Sequence, residues 1–418
     1  MPNSSLIKKK IKCRLCNSKD LRALFHLCNS PLANNLKNSE KTALKSFFYP
    51  LKLDICFKCK HVQLSHVVSS KLLFSNYLYK TGISTNFNNH FKKYSSETLK
   101  LFRKTSKNKL KVLEIGSNDC TLLKHFKNNN CKTVGIEPAK NLYQLTKNDH
   151  DIFNKFFNRS VANTLKSKYG KFDIIVANNV FAHIDNLEGV FKNLIKILHS
   201  NSIIIFEVSY LLEVIKNKLF DTIYHEHLDY HNIKPLIPFL KKFNLKIINV
   251  KKVNTHGGSI RIYASQLNSD YKVNNLRLNK YLDIEKKHGL HKISTFIEYK
   301  KKLDFEKNML SEFIKKISNK KTYGYGAAAK AVTLISYYGI NKKNITCIID
   351  DSDIKQNKYL PGSGIKIENS KILNSKPCDN VIILAWNLSS DIILKIKKFK
   401  KIKNIIVPLP KLKIIKLR

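Results

Sequence analysis

Two stretches of the chain repeat one pattern: an apolar strand, a turn that contains glycine, and a helix. KVLEIGSNDCTLLKHF occupies residues 111–126, and YGYGAAAKAVTLISYYG occupies residues 323–339. Around both stretches, apolar segments of strand length alternate with helical patterns. Such alternation is typical of parallel sheets that carry helices on both faces. The sequence therefore predicts an α/β protein that contains two strand–turn–helix units.

The 418 residues divide into three predicted domains. Residues 1–72 carry two CxxC pairs, and residues 73–315 contain the first strand–turn–helix unit and end in a Lys-rich helical stretch. Residues 316–418 contain the second unit. A chain of this length is typical of two or three domains.

The charge is strongly positive, with 76 Lys and Arg against 30 Asp and Glu. A basic balance of this size is compatible with a nucleic-acid-binding protein. The lysines are spread along the whole chain, however, and a polyanionic small substrate such as a nucleotide sugar also suits a basic protein. We therefore expect no nucleic-acid partner.

The longest apolar run has about five residues, whereas a membrane-spanning helix needs about 20. The N-terminal segment MPNSSLIKKKIKC lacks the apolar stretch of a secretory signal. These two features predict a cytoplasmic protein that does not insert into a membrane.

Four of the nine cysteines form the pairs Cys13–Cys16 and Cys56–Cys59. Each pair can present two thiolates to one ion, and four thiolates favour a closed structural Zn²⁺ site. The separation by residues 17–55 is longer than in a compact zinc ribbon, so the metal would tie together two distant turns. Four unrelated buried cysteines remain the alternative, and Cys28 is interpreted as a core residue.

The turn at Gly116 is a candidate nucleotide site, because a residue without a side chain lets the backbone approach a ligand. About twenty residues later the strand TVGIEPA ends in Glu137, a position where an acidic side chain commonly accepts ribose hydroxyls. The strand FDIIVAN then leads into Asn178 and Asn179. These three features in order resemble the class I S-adenosylmethionine methyltransferases. The alternative is a Rossmann-like domain with another nucleotide or with none.

Longer motifs extend the resemblance over nearly the whole chain. They are CRLCNS, PLANN, YPLKLDICFKCKHVQLSHVV, LFSNYLYKTGIS, EIGSND, GIEP, NNVFAHI, FDTIYHEHLDY, THGGSIRIY, YGYGAAAKAVTL, IDDSDIKQNKYLPGSGIKI and IIVPLP. Together they resemble the three-domain, S-adenosylmethionine-dependent sugar C-methyltransferases of the C-3-methyltransferase type. That family has a zinc-binding N-terminal domain, a class I methyltransferase domain and a C-terminal Rossmann-like domain.

The resemblance implies methylation of a carbon next to the ketone of a nucleoside-diphosphate keto-deoxysugar, with dTDP as the expected nucleotide. The chain would act as a monomer in branched-chain deoxysugar biosynthesis, with S-adenosylmethionine as methyl donor and structural Zn²⁺. The implied cofactor residues are Glu114, Gly116, Asn118, Asp119, Glu137, Asn178 and Asn179. Cys120 and Ala331 stand where the family usually has glycine.

The implied acid/base residues cluster in TIYHEHLDY, residues 222–230. His227 matches the proposed general base, Tyr224 would donate a hydrogen bond near the enolate oxygen, and Glu226 would orient a neighbour or hold a hydroxyl. His183 in NNVFAHI is a further acid/base candidate. The implied substrate contacts are Tyr77, Tyr79, His225, Arg261, Gly326 and Lys330.

The local structure of TIYHEH stays open from the residues alone. A strand would place His225 and His227 on one face, whereas a helical turn would bring Tyr224 and His227 together. A second metal site on His225, Glu226 and His227 and a purely structural role for the histidines are the alternatives.

The C-terminal unit suggests anion binding, because Gly324 and Gly326 precede a helix N-terminus and Lys330 adds charge. Arg261 in THGGSIRIY is a second candidate for holding an anion. A second dinucleotide site and a packing domain with no ligand are the alternatives.

Overall fold

The computed structural model describes residues 7–75, 77, 80–83, 85–102, 109–317, 319–399 and 401–417. Tyr79, one of the predicted substrate contacts, lies outside the described residues. Within these ranges, no helix is both long enough and apolar enough to cross a membrane.

The N-terminal domain is built on antiparallel hairpins. Its elements are β1 (Ile7–Lys9), β2 (Leu21–Ser30), α1 (Glu40–Leu44), β3 (Tyr49–Cys56), β4 (Val62–Leu64), β5 (His66–Val68) and α2 (Ser70–Phe74). β1 pairs with β5, and β2, β3 and β4 form a second sheet. The strand Asp229–Tyr230, which comes from the middle of the chain, pairs with β4 and completes that sheet. The segment that contains TIYHEH is therefore anchored to the N-terminal domain.

The middle domain is a seven-stranded sheet in the order β12-β13-β10-β9-β6-β7-β8. Its elements are α3 (Thr85–Lys100), β6 (Lys111–Ile115), α4 (Thr121–Asn128), β7 (Lys132–Ile136), α5 (Lys140–Thr146), β8 (Asp151–Phe153), α6 (Arg159–Tyr169), β9 (Phe172–Asn178), α7 (Leu187–Leu194), β10 (Leu198–Ser209), α8 (Leu211–Lys216), β11 (Asp229–Tyr230), α9 (Ile233–Lys241), β12 (Leu245–Val253) and β13 (Ser259–Gln266). The strand order reverses between β6 and β9, and ligands bind outside the carboxyl ends of strands at such a reversal.

Two helices, α10 (Asn275–Lys287) and α11 (Ile293–Lys316), form the Lys-rich connection to the C-terminal sheet. The order of that sheet is β16-β15-β14-β17-β18-β19, and only β19 is antiparallel to its neighbour. Its elements are β14 (Thr322–Tyr325), α12 (Ala329–Tyr338), β15 (Ile348–Ile349), β16 (Ile367–Glu368), α13 (Ile372–Ser375), β17 (Asn380–Ile383), α14 (Ser389–Ile396), β18 (Asn404–Val407) and β19 (Lys413–Lys416). The predicted α/β class, with parallel strands covered by helices, is confirmed.

Helix α12 lies where the three domains meet. It packs against β2 of the N-terminal domain and against the 3₁₀ turn Phe220–Thr222 of the middle domain. Eight of its ten residues are buried, and the apolar side chains dominate that set. A helix that is apolar on nearly every side is typical of a position inside a core. The N-terminus of α12 is thereby held beside the residues that follow Phe220–Thr222.

Candidate active site

The four predicted metal ligands come together in the N-terminal domain. The sulfur atoms of Cys13, Cys16, Cys56 and Cys59 all lie within 4.8 Å of one another, and no other such cluster occurs among the residues that the structure describes. The Sγ–Sγ distances are 3.6 Å for Cys13–Cys59 and 3.4 Å for Cys16–Cys56. A zinc–sulfur bond of about 2.3 Å gives tetrahedral edges of about 3.8 Å. The geometry fits Zn²⁺, and a metal cluster on His225, Glu226 and His227 is not found.

Arg14 sits inside the first CxxC turn and reaches the middle domain. Its side chain is fully buried, and its Nη1 donates to the carbonyl oxygens of Leu64 at 2.9 Å and Leu228 at 3.2 Å. The same nitrogen lies 3.9 Å from the carboxylate of Asp229, which also receives a 2.7 Å bond from His61. The metal-bearing turn is therefore connected directly to the residues that follow His227.

The predicted cofactor turn follows β6 at the reversal of strand order. Gly116 has a φ of +70°, and a Cβ there would meet Val180 Cγ2 at 2.5 Å. Asn118 Oδ1 accepts from the amide of Thr81 at 3.1 Å, and Asp119 Oδ2 accepts from the amide of Gly82 at 2.6 Å. The turn thus requires glycine at Gly116, and its polar side chains hold residues 81–82 against it.

Glu137 stands at the end of β7 with each carboxylate oxygen bonded to a backbone amide, that of Asn118 and that of Ala139, both at 2.8 Å. A carboxylate has about four acceptor sites, so ribose hydroxyls can still bind. Burial raises its pKa, and the two amide bonds oppose that rise. Two further buried atoms at this edge, Glu114 Oε2 and Asn178 Oδ1, have no partner among the described residues. Polar atoms left over in this way fit a ligand that supplies donors, as a nucleoside with an amino acid tail does.

Two neighbours of the cofactor turn adopt the left-handed backbone conformation. Asn179, which follows β9, has a φ of +55°, and its amide donates to the carbonyl of Glu207 at 2.8 Å. Cys120, at the N-terminus of α4, has a φ of +60°. A non-glycine residue pays a steric cost of roughly 1 kcal/mol in this region. This conformation explains the preference for glycine at position 120 in the family that the sequence resembles.

The segment TIYHEH forms a turn, not a strand. The amide of His227 donates to the carbonyl of Tyr224 at 2.9 Å, which is the spacing of one helical turn. The hydroxyl of Tyr224 lies 3.1 Å from His227 Nε2, and His227 Nδ1 lies 2.8 Å from the carbonyl oxygen of Thr222. A carbonyl can only accept, so Nδ1 carries the proton. The lone pair is then on Nε2, which receives the Tyr224 hydroxyl.

His183 joins this pair from the loop after β9. Its ring centroid lies 4.9 Å from that of His227 at an angle of 84°. Burial lowers the pKa of His183 to about 4. The pKa of His227 is held well below its ordinary value by burial and then by the charges of His183 and Lys330. Both imidazoles are therefore neutral near pH 7, which is the state in which a histidine can accept a proton.

Glu226 and His225 point toward the N-terminal domain. Glu226 accepts from Asn34 Nδ2 at 2.6 Å and from the hydroxyl of Tyr77 at 3.4 Å, and burial raises its pKa to about 7. His225 Nε2 donates to the carbonyl of Tyr49 at 3.3 Å, and the imidazole is 1% exposed. The environment of His225 favours its structural interpretation over the predicted substrate contact.

Two further groups lie near His227, Lys330 from the C-terminal domain and His256 from the connection between β12 and β13. Lys330 at the start of α12 donates to the carbonyl oxygen of His256 at 3.0 Å. The ammonium of Lys330 lowers the pKa of both His227 and His256, the latter to about 3, after the larger contribution of burial. The motif of the C-terminal unit predicts Lys330, whereas His256 is a further residue of the site, and its signal in the sequence is THGG, a histidine directly before two glycines that permit a close approach.

Arg261, a predicted substrate contact, is buried and paired with carboxylates inside the protein. It is 2% exposed and forms ion pairs with Glu207 at 2.5 Å and Glu97 at 3.2 Å. The guanidinium also lies 3.8 Å from the ring centroid of Tyr94. β13 pairs Arg261 with Glu207 in register across the sheet, so its charge is neutralised inside the protein.

The amide of Gly326, a predicted substrate contact, is bonded inside the C-terminal sheet. That amide donates to the carbonyl of Ile349 at 2.7 Å, and the next amide, of Ala327, donates to Asp350 at 2.7 Å. A Cβ at Gly326 would meet Ala385 Cβ at 2.4 Å, and its φ is +95°. Glycine is required here by packing against the neighbouring strand.

Comparisons with known proteins match the chain in three consecutive parts. The matching family descriptions are "Putative zinc binding domain" for residues 13–74, "Methyltransferase domain" for residues 87–250 and "C-methyltransferase C-terminal domain" for residues 254–410. The zinc description covers the four-cysteine cluster. The methyltransferase description covers the glycine turn, Glu137 and Asn178.

One relative matches this chain over nearly the full length of both proteins. C-methyltransferase NovU of Streptomyces niveus is 28% identical over 409 residues, which are 97% of this chain and 96% of that protein. A solved S-adenosylmethionine-dependent methyltransferase of Clostridium acetobutylicum is 13% identical with a TM-score of 0.32, covering 42% of this chain and 92% of its own. The magnesium protoporphyrin IX methyltransferase ChlM of Synechocystis with bound S-adenosylmethionine is 11% identical with a TM-score of 0.33, covering 43% of this chain and 81% of that protein. Structural scores of this size add nothing to the assignment, which rests on the three family matches and the full-length relative. The chain belongs to the three-domain, S-adenosylmethionine-dependent C-methyltransferases with a zinc-binding N-terminal domain.

Proposed function

We propose that this C-methyltransferase acts on a nucleoside-diphosphate keto-deoxysugar, with dTDP as the expected nucleotide, and methylates a carbon next to the ketone. The observation that supports this proposal most directly is the buried pair of His227 and Tyr224. His227 Nε2 carries a lone pair and lies 3.1 Å from the Tyr224 hydroxyl, at the carboxyl edge of the methyltransferase sheet. A base next to a hydroxyl donor suits removal of a proton from a carbon whose neighbouring ketone becomes an enolate.

His227 accepts the proton in this mechanism. The Thr222 carbonyl fixes the imidazole with Nδ1 protonated, so the substrate proton goes to Nε2. The Tyr224 hydroxyl then turns from Nε2 toward the enolate oxygen, because a protonated Nε2 no longer accepts. S-adenosylmethionine held by the residues around Gly116 and Glu137 would supply an electrophilic methyl group on its sulfonium sulfur, with S-adenosylhomocysteine as the leaving group.

The depressed pKa of His227 has a consequence for the order of events. A buried imidazolium beside Lys330 is unfavourable unless a negative charge forms at the same time. The enolate supplies that charge, so His227 becomes protonated only when an acidic ketone substrate is in place. Free enzyme keeps the base neutral across the physiological pH range.

Glu226 and Tyr77 hold the substrate side of the site in this proposal. The carboxylate is bonded to Asn34 and to Tyr77, and its pKa of about 7 lets it accept or donate a hydrogen bond to a sugar hydroxyl. Lys330 adds a positive charge for the nucleotide-linked acceptor. Glu114, Gly116, Asn118, Asp119, Glu137, Asn178 and Asn179 form the proposed cofactor side, and Cys13, Cys16, Cys56 and Cys59 hold the structural zinc.

The experiment that tests the proposal separates proton removal from methyl transfer. Purified protein is incubated in D₂O with S-adenosylhomocysteine and a panel of dTDP-4-keto-deoxysugars, and deuterium uptake next to the ketone is followed by mass spectrometry. In a parallel reaction S-adenosylmethionine replaces the homocysteine and a gain of one methylene is sought. We expect both signals from the unmodified enzyme.

The variant His227→Asn removes the base, and His225→Asn is its matched control two residues away. We expect His227→Asn to lose both deuterium uptake and methylation, while His225→Asn keeps both, because its imidazole faces the Tyr49 carbonyl. Uptake that persists in His227→Asn assigns the base to another residue, with His183 the next candidate. Methylation of non-sugar ketones in preference to every dTDP-sugar would refute the acceptor class.

A further inference from the structure

The C-terminal domain reaches the turn that orients His227. The Thr222 carbonyl that binds His227 Nδ1 belongs to the 3₁₀ turn Phe220–Thr222. Asp221 lies in the same turn and is completely buried, and its Oδ2 accepts a short hydrogen bond from the indole Nε1 of Trp386. A hydrogen bond to a buried carboxylate is worth more than one between neutral groups, because the charge has no water to replace the lost donor.

Trp386 is positioned for this contact by its surroundings. A Cβ at Gly257 would lie 3.0 Å from the indole Cη2 and 2.8 Å from Leu219 Cδ1, so the glycine makes room for the ring. The ammonium of Lys330 lies 5.3 Å from the centroid of the indole, and it donates to the carbonyl oxygen of His256. One side chain of the C-terminal domain therefore contacts both Asp221 and Lys330.

The other oxygen of Asp221, Oδ1, has no hydrogen-bond partner among the described residues. Among the described residues, the indole N–H of Trp386 is therefore the side-chain group that donates a hydrogen bond to the Asp221 carboxylate. Asp221 is the residue directly before Thr222. Loss of this donor leaves a buried acceptor unsatisfied, and the turn can then rearrange to expose it. Any such rearrangement moves the Thr222 carbonyl and with it the imidazole of His227.

We propose that Trp386 is a positioning residue for His227: its indole N–H fixes Asp221, and Asp221 fixes the carbonyl that holds the imidazole with Nε2 free for the substrate. This inference rests on the proposed function, because it takes His227 as the base. It makes proton removal in the middle domain depend on a hydrogen bond from the C-terminal domain. Trp386 itself does not touch the reacting atoms.

Trp386→Phe tests the inference, because phenylalanine keeps a ring in place but has no N–H. We expect the rate of α-proton exchange to fall about tenfold to a hundredfold, since small displacements of a catalytic group have effects of that size. The binding of S-adenosylmethionine, measured by calorimetry, and KM for the dTDP-4-keto-deoxysugar should stay as in the unmodified enzyme. The matched control is Tyr337→Phe, which loses a hydroxyl bonded to Asp304 from a ring that packs on the same turn. Its exchange rate should be unchanged.

Variants of Asp221 separate a positioning role from a general loss of structure. Asp221→Ala should slow exchange as Trp386→Phe does, and the double variant should be no slower than the slower single variant, because both changes break one interaction. Asp221→Asn keeps an oxygen that accepts from the indole, so it should retain most of the exchange rate. Trp386 is the only tryptophan in the sequence, so its fluorescence emission should shift in Asp221→Ala but not in Asp221→Asn.

Three results would overturn the inference: exchange in Trp386→Phe at the unmodified rate, independent effects of the two changes in the double variant, or equal losses in Asp221→Ala and Asp221→Asn. If Trp386→Phe does not fold, the two Asp221 variants decide the matter alone. The proposed function fails separately, when non-sugar ketones are methylated in preference to every dTDP-sugar, and the assignment of the base fails when His227→Asn stays active. An inactive His227→Asn together with a fully active Trp386→Phe would refute only the role of Trp386.

Discussion

The segment of residues 220–229, which contains the proposed base His227, is held at both ends by other domains, and the two attachments differ in chemistry. At its C-terminal end the buried carboxylate of Asp229 lies against Arg14 and accepts a hydrogen bond from His61, beside the zinc-binding turn. At its N-terminal end Phe220 packs on Tyr337 with ring centroids 4.6 Å apart, and Asp221 receives one indole N–H. The first attachment depends on a buried ion pair and the metal, and the second depends on aromatic packing and one hydrogen bond to a buried carboxylate.

This difference predicts that the two ends respond to different perturbations. Buried charges are costly to separate from their partners, whereas aromatic contacts lose strength gradually as rings are trimmed. Changes near the zinc site should therefore disturb the whole segment, and changes near Phe220 should have smaller effects. The following four perturbations are ordered from the largest expected effect to the smallest.

Removal of the zinc should have the largest effect. Structural zinc in small domains contributes about 10–16 kcal/mol of apparent binding free energy, so the N-terminal domain should lose its fold without the metal. Chelation should reduce the β signal in circular dichroism and abolish methyl transfer. The middle domain should still bind S-adenosylmethionine, as calorimetry can measure. Methyl transfer by the metal-free protein at the rate of the zinc-bound protein would show that the attachment of Asp229 to the N-terminal domain does not need the metal.

Arg14→Met should break the same attachment without touching a metal ligand. Removing one partner of a buried ion pair costs about 3–5 kcal/mol, because Asp229 stays buried with less compensation. Chemical denaturation should show that decrease in the free energy of unfolding, while the zinc content stays constant. Arg22→Met is the control, because its pair with Asp20 is 61% and 45% exposed and should contribute under about 1 kcal/mol. Equal effects of the two changes would contradict the comparison.

Glu226→Gln tests the middle of the segment through the pH dependence of the free energy of unfolding. Burial raises the Glu226 pKa from 4.5 to about 7, so between these values the folded protein holds a proton that the unfolded chain releases. The free energy of unfolding therefore falls with rising pH through this window, by roughly 3 kcal/mol in total. Glutamine does not titrate, so the stability of Glu226→Gln relative to the unmodified protein should rise from about pH 4.5 to about pH 7. Parallel stability curves would show that the Glu226 carboxyl group has the same pKa in the folded and the unfolded protein.

Phe220→Leu should have the smallest effect, at the aromatic end. Loss of the ring contacts with Tyr337 and Tyr338, partly replaced by leucine, should lower the free energy of unfolding by about 1 kcal/mol. Unfolding in denaturant measures this decrease in the free energy of unfolding. Phe305→Leu is the control, because the Phe305 ring is 66% exposed. A loss as large as that of Arg14→Met would remove the distinction between the two ends.

The sequence predicts those parts of the site that local patterns encode. The CxxC spacing identified the four metal ligands, whose sulfur atoms do cluster. The helical-turn alternative for TIYHEH also matches the contact of Tyr224 with His227, because residues three apart meet on one turn. The glycine turn after β6 lies at the reversal of strand order, as the strand–turn–helix pattern indicates.

The remaining contacts join residues that are far apart in the chain. Asn34 and Glu226 are separated by 192 positions, and Trp386 and Asp221 by 165. No periodicity or spacing reports such pairs, since they exist only when the domains dock. The ion pair of Arg261 is hidden from the sequence for the same reason: its partner Glu207 lies on a neighbouring strand, and a single sequence does not show which strands are neighbours.

The two attachments also constrain the order in which the protein folds. Arg14 and Leu228 close a loop of 214 residues, and Asp221 and Trp386 close another of 165. Contacts between such distant residues form late, because the chain entropy of closing the loop must be overcome first. During synthesis, the middle domain can therefore complete its sheet well before His227 is locked in place. A growing chain would thus be able to hold the cofactor before the proposed base is positioned, and the complete site would form in one step with the docking of the last domain.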